Sequence, residues 1–248
     1  MRQYRPYPVS FAQVATVLRS HAQRGVTNLH VTGGEPTIHP KFIEVLALAH
    51  KLGMRTSVGT IGTRLCDEAF AERALVHLDE ALFSLHGPDA TVHDGLAGRA
   101  GSFDQVTRAM TVCTKLRPST FGCYVNTVVT RENIDVLGDT VALAASLGAT
   151  LIIVSNMTPE GLGLDNYERL AVRLERLAEV LPSVVGRAPS AIVRFFATPM
   201  CVLGEHEMLS NDLHWDPRVT VEWQSAPGKV VFDGIYSWAP DRRRVRAR

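Results

Sequence analysis

The sequence predicts an α/β fold built on a parallel β-sheet, and three observations support this prediction. Strand-like and helix-like segments alternate from near the start of the chain to about residue 196. The strand-like segments are continuous runs rich in Val, Ile and Leu, which is typical of strands buried on both faces. Each strand–helix unit takes roughly 25–35 residues, which suits a TIM-like barrel or an open doubly wound sheet. The 248 residues can close one substantial core, so we expect one domain with short appendages.

The first half of the chain opens with an amphipathic helix over about 11–24, for which Ser10 is the predicted N-cap and Gly25 the natural end. Ser102, with Gln105 three residues later, forms a capping-box pattern that begins a helix reaching about Leu116. The other predicted elements of this half are a strand at 29–32, a helix at 41–52, a strand at 55–59, a helix at 67–78 and a strand at 81–85.

The second half repeats this alternation and then loses it. Its predicted elements are a strand at 122–129, a helix at 133–147, a strand at 150–155, a long helix at 164–181 and a final strand at 191–196. We therefore expect a barrel-like body over 1–198, followed at 199–240 by a C-terminal extension or lid that carries Trp215, Trp223 and Trp238. Residues 241–248 are arginine-rich, and we expect a frayed, solvated terminus there.

Composition and charge exclude several classes of protein. No apolar run approaches the roughly 20 residues of a membrane span, and the first residues lack the apolar segment of a secretory signal. The chain has 26 Lys and Arg against 25 Asp and Glu, and five of the arginines lie in 242–248, so residues 1–241 have a net charge of −4. Such a body offers no basic footprint for nucleic acid. We expect a cytoplasmic protein without membrane or nucleic-acid partners.

The four cysteines, Cys66, Cys113, Cys123 and Cys201, are widely separated. They contain no C-x-x-C pair and no zinc-like spacing, so the sequence predicts neither a disulfide scaffold nor a local metal site. We expect the first three to act as small buried apolar residues on helices or strands. Cys201 follows a predicted strand end, so it can face the ligand cavity.

Polar and glycine residues stand where the predicted strands end, which is the edge where parallel α/β sheets bind ligands. They are Gly33-Gly34-Glu35-Pro36, Ser84, Asn126 and Ser155. Two glycines let the backbone approach a ligand closely or take a positive φ, and the Glu35 carboxylate suits an ammonium group or a ribose hydroxyl. From Gly33-Gly34-Glu35-Pro36 alone, a tight turn in which the Glu35 carboxylate faces water is an equally good interpretation. No Walker or G-x-G-x-x-G motif is present.

Longer stretches of the chain resemble the radical S-adenosylmethionine (radical SAM) enzyme superfamily. The run LHVTGGEPTIHPKFIEVLALAHKLGMRTSVGTIGTRL is similar to that family's second and third strand units, including its GGEP loop. LFSLHGPDATVHDGLAGRAGSFDQV resembles the fourth unit and VNTVVTRENIDVLGDTVALAASLGA the fifth. Together with the segments between them, these matches run from about residue 9 to residue 160.

The resemblance implies a fold, a cofactor and a set of site residues. The fold is a partial (β/α)6 barrel, and the chemistry is reductive cleavage of S-adenosylmethionine to a 5′-deoxyadenosyl radical that modifies a peptide or a small molecule. Gly33, Gly34, Glu35 and Pro36 would contact the methionine moiety of the cofactor. Ser84 would lie near its carboxylate or ribose and Asn126 near its ribose, while Thr150–Ser155 would contact adenine. An electron-donor protein is an expected partner if the full-length enzyme is active.

The chain departs from the family pattern at its most characteristic motif. The C-x3-C-x2-C segment that holds a [4Fe–4S] cluster is absent, and thiolates are what the cluster requires. In the family that segment follows the first barrel strand, so we expect this chain to lack both, through truncation or true loss. As written, we expect it to be inactive in radical chemistry. Thr60-Ile61-Gly62 replaces the common T-N-G, and Ala97 stands where the family often has arginine.

Two alternatives remain open at this point. One is a non-catalytic scaffold that binds S-adenosylmethionine, a peptide or a partner enzyme. The other is a divalent-metal-dependent barrel lyase with Glu35, His39 and His86 as ligands, although these three residues have no fixed spacing. His93-Asp94 can form an acid/base pair, but we expect it to cap and order the loop before Ser102 instead. The substrate itself cannot be read from these motifs.

Overall fold

The computed structural model describes residues 10–117, 119–159, 162–214, 219–226, 229–238 and 244–247. Its body is a six-stranded sheet in which every neighbouring pair is parallel. The strands follow one another in chain order, and among the residues just given β1 and β6 are the two edges, so this sheet is open. The strands are β1 (Asn28–Val31), β2 (Arg55–Thr60), β3 (Glu80–Ser84), β4 (Gly122–Val129), β5 (Leu151–Asn156) and β6 (Ile192–Phe196). The predicted α/β fold is confirmed.

Helices connect the strands as the alternation predicts, with two differences. They are α1 (Phe11–Gln23), α2 (Phe42–Lys51), α3 (Glu68–Leu75), α4 (Ala90–Ala97), α5 (Ser102–Leu116), α6 (Leu137–Ser146), α7 (Leu162–Asp165), α8 (Tyr167–Leu170), α9 (Leu174–Val185) and α10 (Met200–Leu203). Helix α4 is not among the predicted elements. The single long helix predicted at 164–181 is wrong, because the chain forms α7, α8 and α9 with an extended break at 171–173.

The core lies between the sheet and the helices that cover one of its faces. Along β4 the side chains alternate, so that Cys123, Val125 and Val129 are buried while Asn126 and Val128 are half-buried on the opposite face. Helices α5 and α6 contribute further buried side chains to the same core. A smaller apolar cluster joins α1 to α2. Burial on the helix-covered face therefore leaves the other face of the sheet free to carry polar groups.

The two predicted helix starts have different outcomes. The Ser10 cap is confirmed, because its side chain and that of Gln13 bond reciprocally to each other's backbone N–H groups. The capping box at Ser102 is wrong: Gly101 is the N-cap of α5, with φ of 77°, and the Ser102 hydroxyl pairs with His93 Nε2 at 3.2 Å. A positive φ is available to glycine without steric cost, which fixes the helix start one residue earlier.

The C-terminal part forms a separate three-stranded antiparallel sheet. Its strands are β7 (Val219–Ala226), β8 (Lys229–Trp238) and β9 (Arg244–Ala247), in that order. Strand β9 lies within the segment for which the sequence predicts a frayed terminus, and its backbone pairs with β8. A lid function for 199–240 stays a prediction. Trp215, Arg242, Arg243 and Arg248 lie outside the described residues. In the described part of the chain, no helix is both long and apolar enough to cross a membrane.

Candidate functional site

The Gly33–Pro36 loop leaves the carboxyl end of β1 in a conformation that its glycines make possible. Gly33 and Gly34 have φ values of 93° and 52°, in the region that disfavours residues with a Cβ atom. Both are exposed. Pro36 is buried and begins a short 3-10 helix, Pro36–Ile38, where its fixed φ and missing N–H cost nothing. The loop therefore presents bare backbone to solvent between a strand and a fixed turn.

The Glu35 side chain joins this loop to the end of β2. Its Oε1 accepts hydrogen bonds from Thr60 Oγ1 at 2.7 Å, from the backbone N–H of Thr37 at 3.2 Å and from the Thr37 hydroxyl. Its Oε2 accepts from the backbone N–H of Ile61 at 2.8 Å. Through these bonds the carboxylate connects the Gly33–Pro36 loop to the residues at the end of β2 and fixes the two loops relative to each other. Contact between Glu35 and a methionyl group stays a prediction.

Asn126 and Ser155 meet on the half-exposed face of the sheet. The Ser155 hydroxyl donates to Asn126 Oδ1 at 2.5 Å. Ser84 is the register neighbour of Asn126 on β3, and Ser155 is the neighbour of Val128, two residues further along β4. In this arrangement the amide nitrogen of Asn126 has no hydrogen-bond partner among the described residues and keeps both its protons available.

A cavity of about 530 Å³ opens in front of this pair, within the range of small-molecule sites. Its walls combine apolar side chains with a few polar ones. Among the described lining residues, Arg169 alone carries a charged side chain, and it forms an ion pair with Glu132. The lining residues are His86, Leu96, Asn126, Val128, Thr130, Ser155, Asn156, Met157, Thr158, Gly163, Asn166, Arg169, Leu170 and Phe196. A neutral, partly apolar ligand fits such a lining better than a phosphate does.

The structure thus brings only some of the predicted site residues together. Asn126 and Ser155 line the cavity, with Ser84 beside Asn126 in the sheet. The loop Gly33-Gly34-Glu35-Pro36 stands at the end of the edge strand β1 and does not line the cavity. Both groups lie toward the carboxyl edge of the same sheet, two or more strands apart.

His86 is a cavity residue whose setting the sequence does not reveal. Its Nδ1 accepts from the backbone N–H of Val128 at 3.3 Å, and its own backbone N–H donates to Nδ1 of the buried His93 at 3.0 Å. Asn133 Nδ2 donates to the carbonyl oxygens of His86 and Val128, both at 2.9 Å. Burial lowers the pKa of His86 to about 4, with a smaller contribution from His93, so the ring is neutral at physiological pH.

The neighbouring pair His93-Asp94 orders the loop before α5, as predicted. Asp94 accepts from the backbone N–H groups of Gly101 at 2.7 Å and Phe103 at 2.8 Å. Hydrogen bonding to the Phe103 N–H is the largest cause that lowers the pKa of Asp94, and the Gly101 bond adds to it. The Asp94 carboxylate thereby supplies the cap that Ser102 does not.

The cysteines do not form a cluster site. Cys113 and Cys123 are buried in the core, and burial raises the pKa of each thiol to about 12. Cys66 is half-buried in the turn before α3 rather than on a helix or strand, and Cys201 is exposed on α10 and does not line the cavity. No group of three His, Cys, Asp or Glu side chains in the described segments could hold a metal ion. The described donors therefore do not fit a [4Fe–4S] cluster.

The metal-lyase alternative is also not supported by these positions. Glu35, His39 and His86 are all described and do not form a metal-binding group. The Glu35 carboxylate bonds to Thr37, Thr60 and Ile61, while Nδ1 of His39 accepts from the backbone N–H of Lys41 at 3.1 Å. Each of the three side chains serves its own local structure.

Comparison with known proteins identifies similar sequences and folds. A family model described as the Radical SAM superfamily matches residues 1–144. The mycofactocin maturase MftC of Mycolicibacterium smegmatis is 32% identical over 185 residues, which cover 73% of this chain and 45% of MftC. The PqqA peptide cyclase of Ruegeria pomeroyi is 33% identical over 134 residues, which cover 54% of this chain and 35% of the cyclase. The chain spans about half the length of the MftC proteins it matches.

Solved structures share the fold at low sequence identity. SuiB of Streptococcus suis matches with a TM-score of 0.59 and 19% identity, covering 77% of this chain and 44% of SuiB. Its structure bound to precursor peptide SuiA matches with a TM-score of 0.56 and 18% identity, covering 69% and 37%. Its structure bound to S-adenosylmethionine matches with a TM-score of 0.57 and 19% identity, covering 73% and 41%.

Proposed function

The chain belongs to the radical SAM superfamily, and we propose that it forms the S-adenosylmethionine-binding core of a peptide-modifying enzyme. The observation that carries the proposal is the cavity at the carboxyl edge of β4 and β5, where Asn126 and Ser155 provide a polar floor between apolar walls. Nearly all of its lining is uncharged, and the single arginine is already paired with Glu132. Such a site suits the adenosyl part of the cofactor.

The chain's own residues divide the binding between two places. The exposed backbone of Gly33 and Gly34 would receive the methionyl end, and Glu35 would keep that loop fixed to β2 through Thr60 and Ile61. At the other place, Asn126 would donate to a ribose oxygen. When bound, S-adenosylmethionine would supply the radical chemistry of the family. Ser84 and Pro36 would complete the shape of the site without supplying charge.

The described cysteines do not fit an iron–sulfur cluster, so no step is assigned to such a cluster in this chain. The four thiols are separated, two are buried with raised pKa values, and none is part of a metal-binding group in the described segments. What this chain supplies by itself is therefore binding and positioning of the cofactor. A [4Fe–4S] cluster and an electron donor belong to the proposal only for the whole protein that catalyses the reaction.

A peptide substrate is supported by the names of similar proteins. Mycofactocin maturase MftC and PqqA peptide cyclase are similar in sequence, and SuiB, similar in fold, has been solved bound to its precursor peptide SuiA. An open sheet with a half-exposed polar face also leaves room for an extended chain beside the cofactor. A small-molecule substrate is the alternative within the same activity.

The second candidate is a non-catalytic protein that binds S-adenosylmethionine or a partner as a scaffold. The observation that favours it is the position of the cysteines, which leaves the chain with a ligand cavity and no described cluster site. Both candidates bind S-adenosylmethionine, but only the enzyme cleaves it. Release of 5′-deoxyadenosine by the full-length protein under anaerobic reducing conditions would support the enzyme and contradict the scaffold.

Binding is tested with the 248-residue chain and S-adenosylmethionine by saturation-transfer NMR. We expect transfer to the adenine and ribose protons, and a several-fold weaker affinity in both N126A and S155A. N126A loses the donor to the ribose, and S155A loses the bond that orients Asn126, each worth about 0.5–1.5 kcal/mol. S57A is the matched control, since Ser57 on β2 pairs with His30 of β1 and does not line the cavity. No transfer, or equal losses in S57A and S155A, would refute the proposed site.

A further inference from the structure

His86 stands at the cavity wall with three of its four hydrogen-bonding groups already fixed. Its backbone N–H donates to His93, its carbonyl oxygen accepts from Asn133, and its ring Nδ1 accepts from the Val128 N–H. Its ring also stacks on that of His93, with centroids 5.7 Å apart and planes inclined by 14°. The imidazole therefore has little freedom to turn, and its orientation is set by two neighbouring strand ends.

The bond at Nδ1 also determines where the ring proton is. A nitrogen that accepts from a backbone N–H carries no proton, so in the neutral imidazole the proton is on Nε2. Nε2 has no hydrogen-bond partner among the described residues, while the ring lines the cavity. The neutral state follows from burial beside a second histidine, which lowers the pKa of His86. His86 is thus an uncharged donor with one free N–H.

The same cavity contains a second free donor and an acceptor. Asn126 uses Oδ1 to accept from Ser155, which leaves its NH2 group free, and the Ser155 oxygen retains lone pairs that can accept. Arg169, the one cation that the described part of the lining contains, is held by Glu132. The hydrogen-bonding surface is therefore neutral and rich in N–H donors.

We propose that His86 contacts the ligand directly, donating its Nε2–H to a neutral acceptor atom of a nucleoside bound in the cavity of β4 and β5. The inference rests on the proposed function and adds to it a specificity residue, with Val128 and His93 as the groups that position it. A ring nitrogen of the base or a hydroxyl oxygen of the sugar satisfies such a donor. A phosphate does not, because the ring brings no positive charge to offset the desolvation of an anion.

The first test compares H86Q with H86L, using adenosine as the probe. A glutamine amide can place an N–H near the position of Nε2, whereas leucine keeps a similar volume without a donor. We expect H86L to bind adenosine roughly 2- to 12-fold more weakly than the unaltered chain, the range for one net hydrogen bond, and H86Q to recover most of that loss. Equal affinity in H86L and the unaltered chain would overturn the proposal.

The second test measures the NMR signals of the His86 ring nitrogens, which ligand binding would not shift if His86 had only a structural role. In the 15N-labelled chain, the ring nitrogens of His86 should report a protonated Nε2 and an unprotonated Nδ1. Adenosine should shift the Nε2 signal of His86 and leave that of His93 unchanged, because His93 Nε2 is already paired with Ser102. A bound adenosine that leaves His86 Nε2 unchanged would contradict the contact.

The two tests separate this inference from the proposed function. If adenosine binds and N126A weakens it while H86L does not, the cavity is a nucleoside site and only the role of His86 is wrong. If adenosine and S-adenosylmethionine both fail to bind the unaltered chain, the proposed function itself fails, and the inference falls with it.

Discussion

The Glu35 carboxylate accepts hydrogen bonds at both of its oxygens, so replacing this single residue should lower the stability of the fold. In E35Q the new NH2 group faces the backbone N–H of Thr37 if it replaces Oε1, or that of Ile61 if it replaces Oε2, so either way one partly buried bond is replaced by two opposed donors. We expect unfolding in urea to require about 1–3 kcal/mol less free energy, the cost of leaving such a group unsatisfied.

Two controls accompany this measurement. E44Q alters an exposed carboxylate that pairs with Lys41 at 2.8 Å, and it should leave the stability unchanged. T60V removes one of the donors to Glu35 and should reproduce part of the E35Q loss. If E35Q is as stable as the unaltered chain, the carboxylate does not hold the loops together.

The four thiols should differ widely in reactivity. Cys201 is exposed and should alkylate first, Cys66 is half-buried and should follow, and Cys113 and Cys123 should not react in the folded chain. With pKa values of about 12, the buried pair holds only about one thiolate in ten thousand at pH 8. Iodoacetamide labelling followed by mass spectrometry measures the order, with urea-unfolded chain as the control. Early labelling of Cys113 or Cys123 would contradict the burial.

Motif and spacing locate the site residues, but their hydrogen-bond partners come from neighbours distant in the chain. The positions of Gly33–Pro36 and Asn126 follow from strand ends that the apolar runs predict. That Glu35 would bond to Thr60, or His86 to the Val128 N–H, depends on which strands lie side by side. A histidine directly after a predicted strand was the available signal for His86, and it equally suggested a metal ligand.

At the scale of elements, the six strands of the parallel sheet were predictable, whereas α4 and the break between α8 and α9 were not. Each of these six strands is an apolar run bounded by turn residues, and the predicted bounds differ from the observed ones by one residue or less at each end. The region 164–181 has a helical apolar period but breaks at 171–173. Arg131 explains the break, because its backbone N–H and its Nε donate to the carbonyl oxygens of Leu170 and Ala171. Tertiary hydrogen bonds thus override the local propensity for helix.

The contact between the β2 loop and α5 is tested with a pair of glycines. Gly62 and Gly53 both have positive φ, 84° and 79°, so alanine strains the backbone at either position. Only at Gly62 would the new Cβ also lie 2.9 Å from Ala109 Cβ and 3.0 Å from Val106 Cα. We expect G53A to cost about 1–2 kcal/mol of unfolding free energy and G62A a further 1–3 kcal/mol, roughly, from overpacking.

Urea unfolding of both variants measures this difference. The strain common to the two substitutions cancels between them, so the excess loss in G62A reports the close approach of α5. Equal losses would mean that α5 moves away from the loop without cost, and that the site edge at Thr60–Gly62 is not fixed by the helix.

At the scale of the whole molecule, stability should decrease from the middle of the sheet to the β1 edge. Strand β4 is paired on both sides, and its helix-facing residues are fully buried or nearly so. Strand β1 has one neighbour within the described part of the chain, and none of its four residues is buried. We expect hydrogen–deuterium exchange to be slowest in β3, β4 and β5 and fastest, among the six strands, in β1.

Mass spectrometry of peptide fragments resolves this order. Exchange in the α1 segment should follow that of β1, because α1 packs in the smaller apolar cluster with α2 rather than in the main core. Protection of β1 equal to that of β4 would contradict the edge position, and would indicate that a further backbone segment pairs with β1 in solution.

The cavity is lined by two kinds of element, strands and short helices, and the two can be varied separately. One wall is the sheet, where Asn126, Val128 and Ser155 hold fixed places in the strand ladder. The facing wall includes Gly163, Arg169 and Leu170 from the short helices, which are joined to the rest of the fold through bonds such as those from Arg131. Exchanging α7 and α8 alone can therefore change the size of ligand that the cavity accepts, while the hydrogen-bonding groups on the strands stay the same.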